Sequence, residues 1–138
     1  MGVIYRATCP SCEYTSDFHL GGGLSSINLP FLLKVLSEAD RAAVEKMNEE
    51  GRISSVMGTN ELVKACDCGV GNNAAGQPPL TAKMILAVTD KEGSTHLFGH
   101  KCADCGKELI RYPDITKPVP CPVCGNSHLE FRTIGHWD

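Results

Sequence analysis

Eight cysteines stand in four close pairs along this chain: Cys9 and Cys12, Cys66 and Cys68, Cys102 and Cys105, Cys121 and Cys124. No other feature restricts the fold as much. Each pair asks for a tight loop with both sulfurs turned to one side, and such a loop needs another facing it to complete a tetrahedron. The last two pairs read C-x2-C-x15-C-x2-C, a spacing that suits a site of four thiolates. Gly106 and Gly125 follow the second cysteine of their pairs and let the chain leave with positive φ. Pro122 pre-sets φ inside its loop. Glu13 occupies the equivalent place after Cys12, and Cys66-Asp67-Cys68 has a single intervening residue, so these two knuckles are less regular.

Paired thiols serve either as disulfides or as ligands, depending on compartment. Met1 to Thr8 lacks the apolar run of a secretory leader, and Met84 to Val88 is too short to span a bilayer. The expectation is a cytoplasmic chain whose thiols stay reduced and bind metal. Zinc is the expected ion, two per chain, with iron in a rubredoxin-like centre as the alternative. Neighbouring pairing in sequence puts Cys102, Cys105, Cys121 and Cys124 on one ion. Cys9, Cys12, Cys66 and Cys68 are then left for the other, across an insertion whose closure cost grows slowly with length.

The 138 residues hold only eight aromatics, so the apolar core is modest and ligation free energy would supplement it. The formal net charge is −3; eight thiolates with two Zn²⁺ change that by −4, to −7. Broad attraction to nucleic acid is disfavoured on this ground. In the last ribbon Lys101, Lys107, Arg111, Lys117 and Arg132 are balanced by Asp104, Glu108, Asp114, Glu130 and Asp138. Base-stacking aromatics are limited to Tyr112, Phe131 and Trp137.

Local patterns predict an α+β fold: two zinc-ribbon-like β-hairpin metal sites with antiparallel strands and a helical insertion. Residues 3–8 and 14–19 read as a hairpin turning at Cys9-Pro10-Ser11-Cys12. Gly21-Gly22-Gly23 reads as a joint; no G-K-[ST] follows to make it a phosphate loop. Residues 29–51 are helical, with Pro30 in the opening turn. A new start is marked by Ser37 as cap with Asp40 at N3, and Gly51 is the stop. Ala39, Ala42, Ala43, Val44 and Met47 would take the inner side, with Arg41 paired to Glu45 outside. Strands follow at 61–66, 80–89, 95–101, 108–111 and 128–134. The loops are a Gly71 to Pro79 stretch, a hairpin turn at 90–93 and a proline-rich connector at 112–120, and Trp137 fills a core gap. The division expected is 1–70, an N-terminal four-cysteine site with its helical insertion, and 71–138, a β-rich region with the C-terminal ribbon.

A closed four-thiolate site leaves no position for water, so it activates no nucleophile. His19, His96, His100, His128 and His136 are the remaining candidates for acid–base work. Only His100, two residues before Cys102, is placed to hydrogen-bond a sulfur or replace a ligand. No H-E-x-x-H is present, and the C-x-x-C pairs lie between strands rather than at a helix start, where a redox thiol would be activated. A non-enzymatic protein-interaction module is the expected role, with a nucleic-acid-associated ribbon as the alternative. The expected place for a binding surface is the groove between the two lobes, beside the Gly21–Gly23 joint and the Gly71–Pro79 loop.

Both ends of the chain resemble a group of uncharacterised small bacterial zinc-ribbon proteins with rubredoxin-type C-P-x-C-G knuckles. The residues concerned are Tyr5-Arg6-Ala7-Thr8-Cys9-Pro10-Ser11-Cys12-Glu13-Tyr14 with Leu20-Gly21-Gly22-Gly23, then Cys102-Ala103-Asp104-Cys105-Gly106, Cys121-Pro122-Val123-Cys124-Gly125 and Trp137-Asp138. Residues 70–100 fall outside it. The resemblance implies metal binding and carries no activity with it.

Overall fold

The structure, a computed structural model, describes residues 2–22, 28–68 and 78–137. In chain order these form β1 (Gly2–Thr8), β2 (Thr15–Gly21), α1 (Leu29–Val35), α2 (Glu38–Glu49), β3 (Ile53–Lys64), β4 (Leu80–Asp90), β5 (Thr95–Phe98), β6 (Ile110–Tyr112) and β7 (Glu130–Trp137). The result is an α+β arrangement of one antiparallel sheet with two helices. The sheet order is β5-β4-β3-β2-β1-β7, and β6 also pairs with β3. It takes strands from both sides of residue 70, because β7 lies against β1 along its length. Part of the expected joint (Gly23) and most of the Gly71–Pro79 loop (71–77) lie outside the described residues.

β4 runs antiparallel to β3 over almost its whole length, from Ile53↔Asp90 to Lys64↔Leu80. That leaves β3 a single free edge. β2 touches it only at Gly21↔Asn60, reinforced by the Asn60 side-chain amide donating to the His19 carbonyl at 3.2 Å. β6 takes the same edge at Leu62 to Lys64. The sheet therefore narrows to one bridge between a β7-β1-β2 part and a β3-β4-β5-β6 part.

The helical region divides where the sequence places the break. Asn28 caps α1 by accepting from Phe31 N–H, and Ser37 caps α2 by accepting from Asp40 N–H at 3.3 Å. Gly51, at φ +67°, ends α2; its N–H reaches Asn48 O and the Arg52 N–H reaches Met47 O, a Schellman stop. The inner face is narrower than the alanines suggested. Val44 and Met47 are buried, whereas Ala39, Ala42 and Ala43 are exposed. Arg41 does not pair with Glu45: its guanidinium donates to the carbonyls of Leu33 at 2.8 Å and Leu36 at 3.2 Å, closing the C-terminus of α1.

Two apolar cores result. Leu32, Leu36, Val44 and Met47 cover Leu86 and Val88 of β4. Ala7, Phe18, Leu20, Leu62, Leu80, Val119 and Leu129 gather with Cys9 and Cys121 in the other. Trp137 lies over Gly2, where a Cβ would meet its indole, and its Nε1–H donates to Leu20 O at 3.0 Å. Among the described residues no helix is long and apolar enough to cross a membrane.

Candidate metal centres

Antiparallel pairing places the end of one strand beside the start of its partner, and this decides which cysteines meet. Thr8 at the end of β1 pairs with Glu130 at the start of β7. The knuckle after Thr8 and the knuckle before Glu130 thus face each other, and Cys9, Cys12, Cys121 and Cys124 form one cluster. Lys64 at the end of β3 pairs with Ile110 at the start of β6, and the same logic collects Cys66, Cys68, Cys102 and Cys105 into the second. The pairing is nested, first knuckle with fourth and second with third. This corrects the neighbouring pairing expected from sequence. The physical reason is strand pairing: β7 joins β1 rather than closing a separate C-terminal ribbon.

All eight cysteines fall in sets of four whose sulfurs lie within 4.8 Å of one another. Cys9 Sγ is 3.6 Å from Cys124 Sγ, and Cys12 Sγ is 3.7 Å from Cys121 Sγ. In the second cluster the corresponding separations are 3.5 Å for Cys66 with Cys105 and 3.6 Å for Cys68 with Cys102. Zn–S bonds of about 2.3 Å in a tetrahedron give sulfur edges of about 3.8 Å. The donor set and its spacing therefore fit a thiophilic divalent ion in either cluster.

The first, third and fourth knuckles close alike. Cys9 N–H donates to Tyr14 O at 3.0 Å, Cys102 N–H to Lys107 O at 2.8 Å and Cys121 N–H to Ser127 O at 2.9 Å. Gly106 (φ +75°) and Gly125 (φ +67°) take the positive φ expected of them. Among the described residues no non-glycine does so, and the Glu13 turn is made without it. Ser11 N–H donates to Cys9 Sγ and Val123 N–H to Cys121 Sγ, each at 3.4 Å, and the Ser11 and Ser127 hydroxyls join the two knuckles of the first cluster.

Electrostatics shows what the clusters lack. The N–H groups of Cys105 and Asp104 stabilise the Cys102 thiolate and bring that thiol down to about 7. Burial pushes Cys121 up, but the N–H groups of Cys124 and Val123 more than offset it, again to about 7. Tyr14 N–H favours the Cys12 thiolate; burial and the thiols of Cys9, Cys121 and Cys124 outweigh it and raise Cys12 to about 12. Cys66, then Cys102 and Cys105, raise Cys68. Four sulfurs this close cannot all ionise without a cation, and a divalent ion held among them would supply the compensating charge.

The clusters differ in their surroundings. Cys9 is 7% and Cys121 2% exposed, both within the core shared by β1, β2 and the fourth knuckle. In the second cluster Cys68 and Cys105 are exposed and none is buried. A hollow of about 410 Å³ opens beside it, lined by Lys64, Cys66, Asp67, Pro78, Lys107 and Ile110 among others. A second hollow, of about 200 Å³, lies by Gly21 between β2 and Tyr112.

His100 belongs to neither cluster; its Nδ1 is buried and has no hydrogen-bond partner among the described residues. His96 is held by Asp90 at 2.9 Å at the β4–β5 turn, and His19 packs against Trp137. The signal that could have given the nested pairing is in the knuckles themselves: the first and fourth are both C-P-x-C, whereas the second and third have no proline. No family model, curated protein or solved structure matches the chain.

Proposed function

We propose that this chain is a structural zinc protein that works by presenting a metal-braced surface to another protein. The observation that carries the metal reading is the pair of four-cysteine clusters whose sulfurs sit at tetrahedral spacing. Four thiolates fill the coordination sphere, which suits bracing rather than activating water. The zinc-ribbon description fits each cluster, as two knuckles joined by paired strands.

A protein partner is favoured by one face of the sheet. Leu86 and Val88 point to the helices, so Ala87 between them points away. Ala87 pairs with Met57 on one side and Leu97 on the other, making an apolar row in which Met57 is 59% and Leu97 38% exposed. Affinity capture with the wild type and with Met57→Asp/Leu97→Asp tests this. A partner held by the first and lost by the second, at unchanged melting temperature, supports it. Binding to DNA or RNA that falls steeply with salt would replace it with a nucleic-acid role. Metal analysis of the purified protein tests the ion: a colourless protein with two zinc per chain is expected, and a red one would make it an iron–thiolate protein.

A further inference from the structure

We infer that the two clusters have different duties: the Cys9/Cys12/Cys121/Cys124 site is permanent, and the Cys66/Cys68/Cys102/Cys105 site exchanges its ion with thiolate acceptors. The inference rests on the metal-binding reading above and adds a function to one of its sites.

Access separates the two. In the first cluster Cys9 and Cys121 are part of a core with Ala7, Phe18, Val119 and Leu129, and Cys12 and Cys124 are half-buried, so two of its four sulfurs are closed to an incoming ligand and none is fully exposed. The Ser11 and Ser127 hydroxyls also tie its two knuckles together. In the second cluster Cys68 and Cys105 face solvent, and the 410 Å³ hollow reaches Cys66 directly. The side-chain tie seen across its knuckles is the Lys107–Asp67 pair at 3.4 Å, with both partners about two-thirds exposed, and such a pair holds weakly. Its flanking strand β6 is three residues long, against eight for β7. The surrounding shell governs how readily ligands are replaced, and among the described residues it leaves Cys68 and Cys105 exposed.

Exchange requires no redox step. An incoming thiol gives up its proton and bonds through sulfur to the ion as the bond to Cys68 or Cys105 breaks. The released cysteine sulfur takes the proton, so atoms and charge balance.

The test uses the full chain loaded with zinc, challenged with excess dimercaptosuccinate and followed by native mass spectrometry and N-ethylmaleimide mapping. One ion should leave roughly tenfold or more faster than the other. Label should then appear on Cys66, Cys68, Cys102 and Cys105 while Cys9, Cys12, Cys121 and Cys124 stay protected and a cooperative melt persists. Loss of both ions at one rate, or early label on the first cluster, would overturn the inference. A chain that never loads two ions fails earlier and overturns the metal reading on which it rests.

Discussion

Gly99 sits at φ +85°, and a Cβ built there lies 2.6 Å from the Met84 carbonyl oxygen, while its N–H donates to Asp40 Oδ2 at 2.9 Å. Gly93 has almost the same φ, +89°, with nothing within 4 Å. The pair separates conformational cost from crowding. Gly93→Ala should cost about 1–2 kcal/mol, the left-handed penalty alone. Gly99→Ala should add roughly 1–3 kcal/mol of overpacking to it. Equal denaturant midpoints for the two variants would refute the crowding argument. Asp90 makes a second test at this scale. Its carboxylate accepts from His96 Nε2 at 2.9 Å, from Glu92 N–H at 2.9 Å and from Ser94 N–H at 3.0 Å. The His96 bond first, then the Ser94 N–H, hold it below the usual carboxylate range. A folded pKa below the unfolded one means stability that is present above about pH 4 and lost as pH falls through the folded value. Acid would also protonate the thiolates of any bound metal, so the measure is a difference. The wild type should lose more stability than Asp90→Asn as pH falls below about 4, and parallel losses would count against this role.

At the level of elements, the sequence was most legible where local chemistry decides. Ser37, Gly51 and Pro30 mark the helices, and Leu80 to Val88 marks a buried strand, because caps and apolar runs act over a few residues. β3 begins at Ile53, not at Glu61 where the sequence pattern starts, since Ser54, Ser55, Gly58, Thr59 and Asn60 dilute the apolar signal and the strand is held by its pairing with β4. Tertiary pairing overrides propensity in such a strand. Arg41 failed for a similar reason. Its i,i+4 partner Glu45 was visible in sequence, whereas the carbonyls of Leu33 and Leu36 become its acceptors only once α1 stops and turns back. Arg41→Ala should therefore destabilise the protein by about 1.5–3 kcal/mol, the range for hydrogen bonds to a charged group. Glu45→Ala should stay within about 0.5 kcal/mol, as an exposed substitution. Thermal unfolding of both variants decides it; a larger effect at Glu45 would restore the surface ion pair.

For the molecule as a whole, the four cysteine pairs are legible in sequence, whereas their grouping into two clusters leaves only the C-P-x-C likeness of the first and fourth knuckles as a trace. Spacing marks which cysteines share a knuckle, because a knuckle is local; the grouping of knuckles depends on which strands pair across the chain. The nested arrangement spans 34 residues between Cys68 and Cys102 and 109 between Cys12 and Cys121. Those wider loops cost only about 1 kcal/mol more in closure than neighbouring pairing would. The β1–β7 and β3–β6 ladders, with the core around Cys9 and Cys121, outweigh that. Double substitutions tell the two partitions apart. Cys66→Ser with Cys105→Ser removes two ligands from one cluster in the nested arrangement, so one zinc per chain should remain and the β7-β1-β2 part should still melt cooperatively. Cys105→Ser with Cys121→Ser strikes both clusters, and both ions should be lost. Neighbouring pairing requires the reverse, since Cys105 and Cys121 would then share an ion while Cys66 and Cys105 would not. Zinc counted per chain by mass spectrometry gives one and none for the nested fold, and none and one for the alternative.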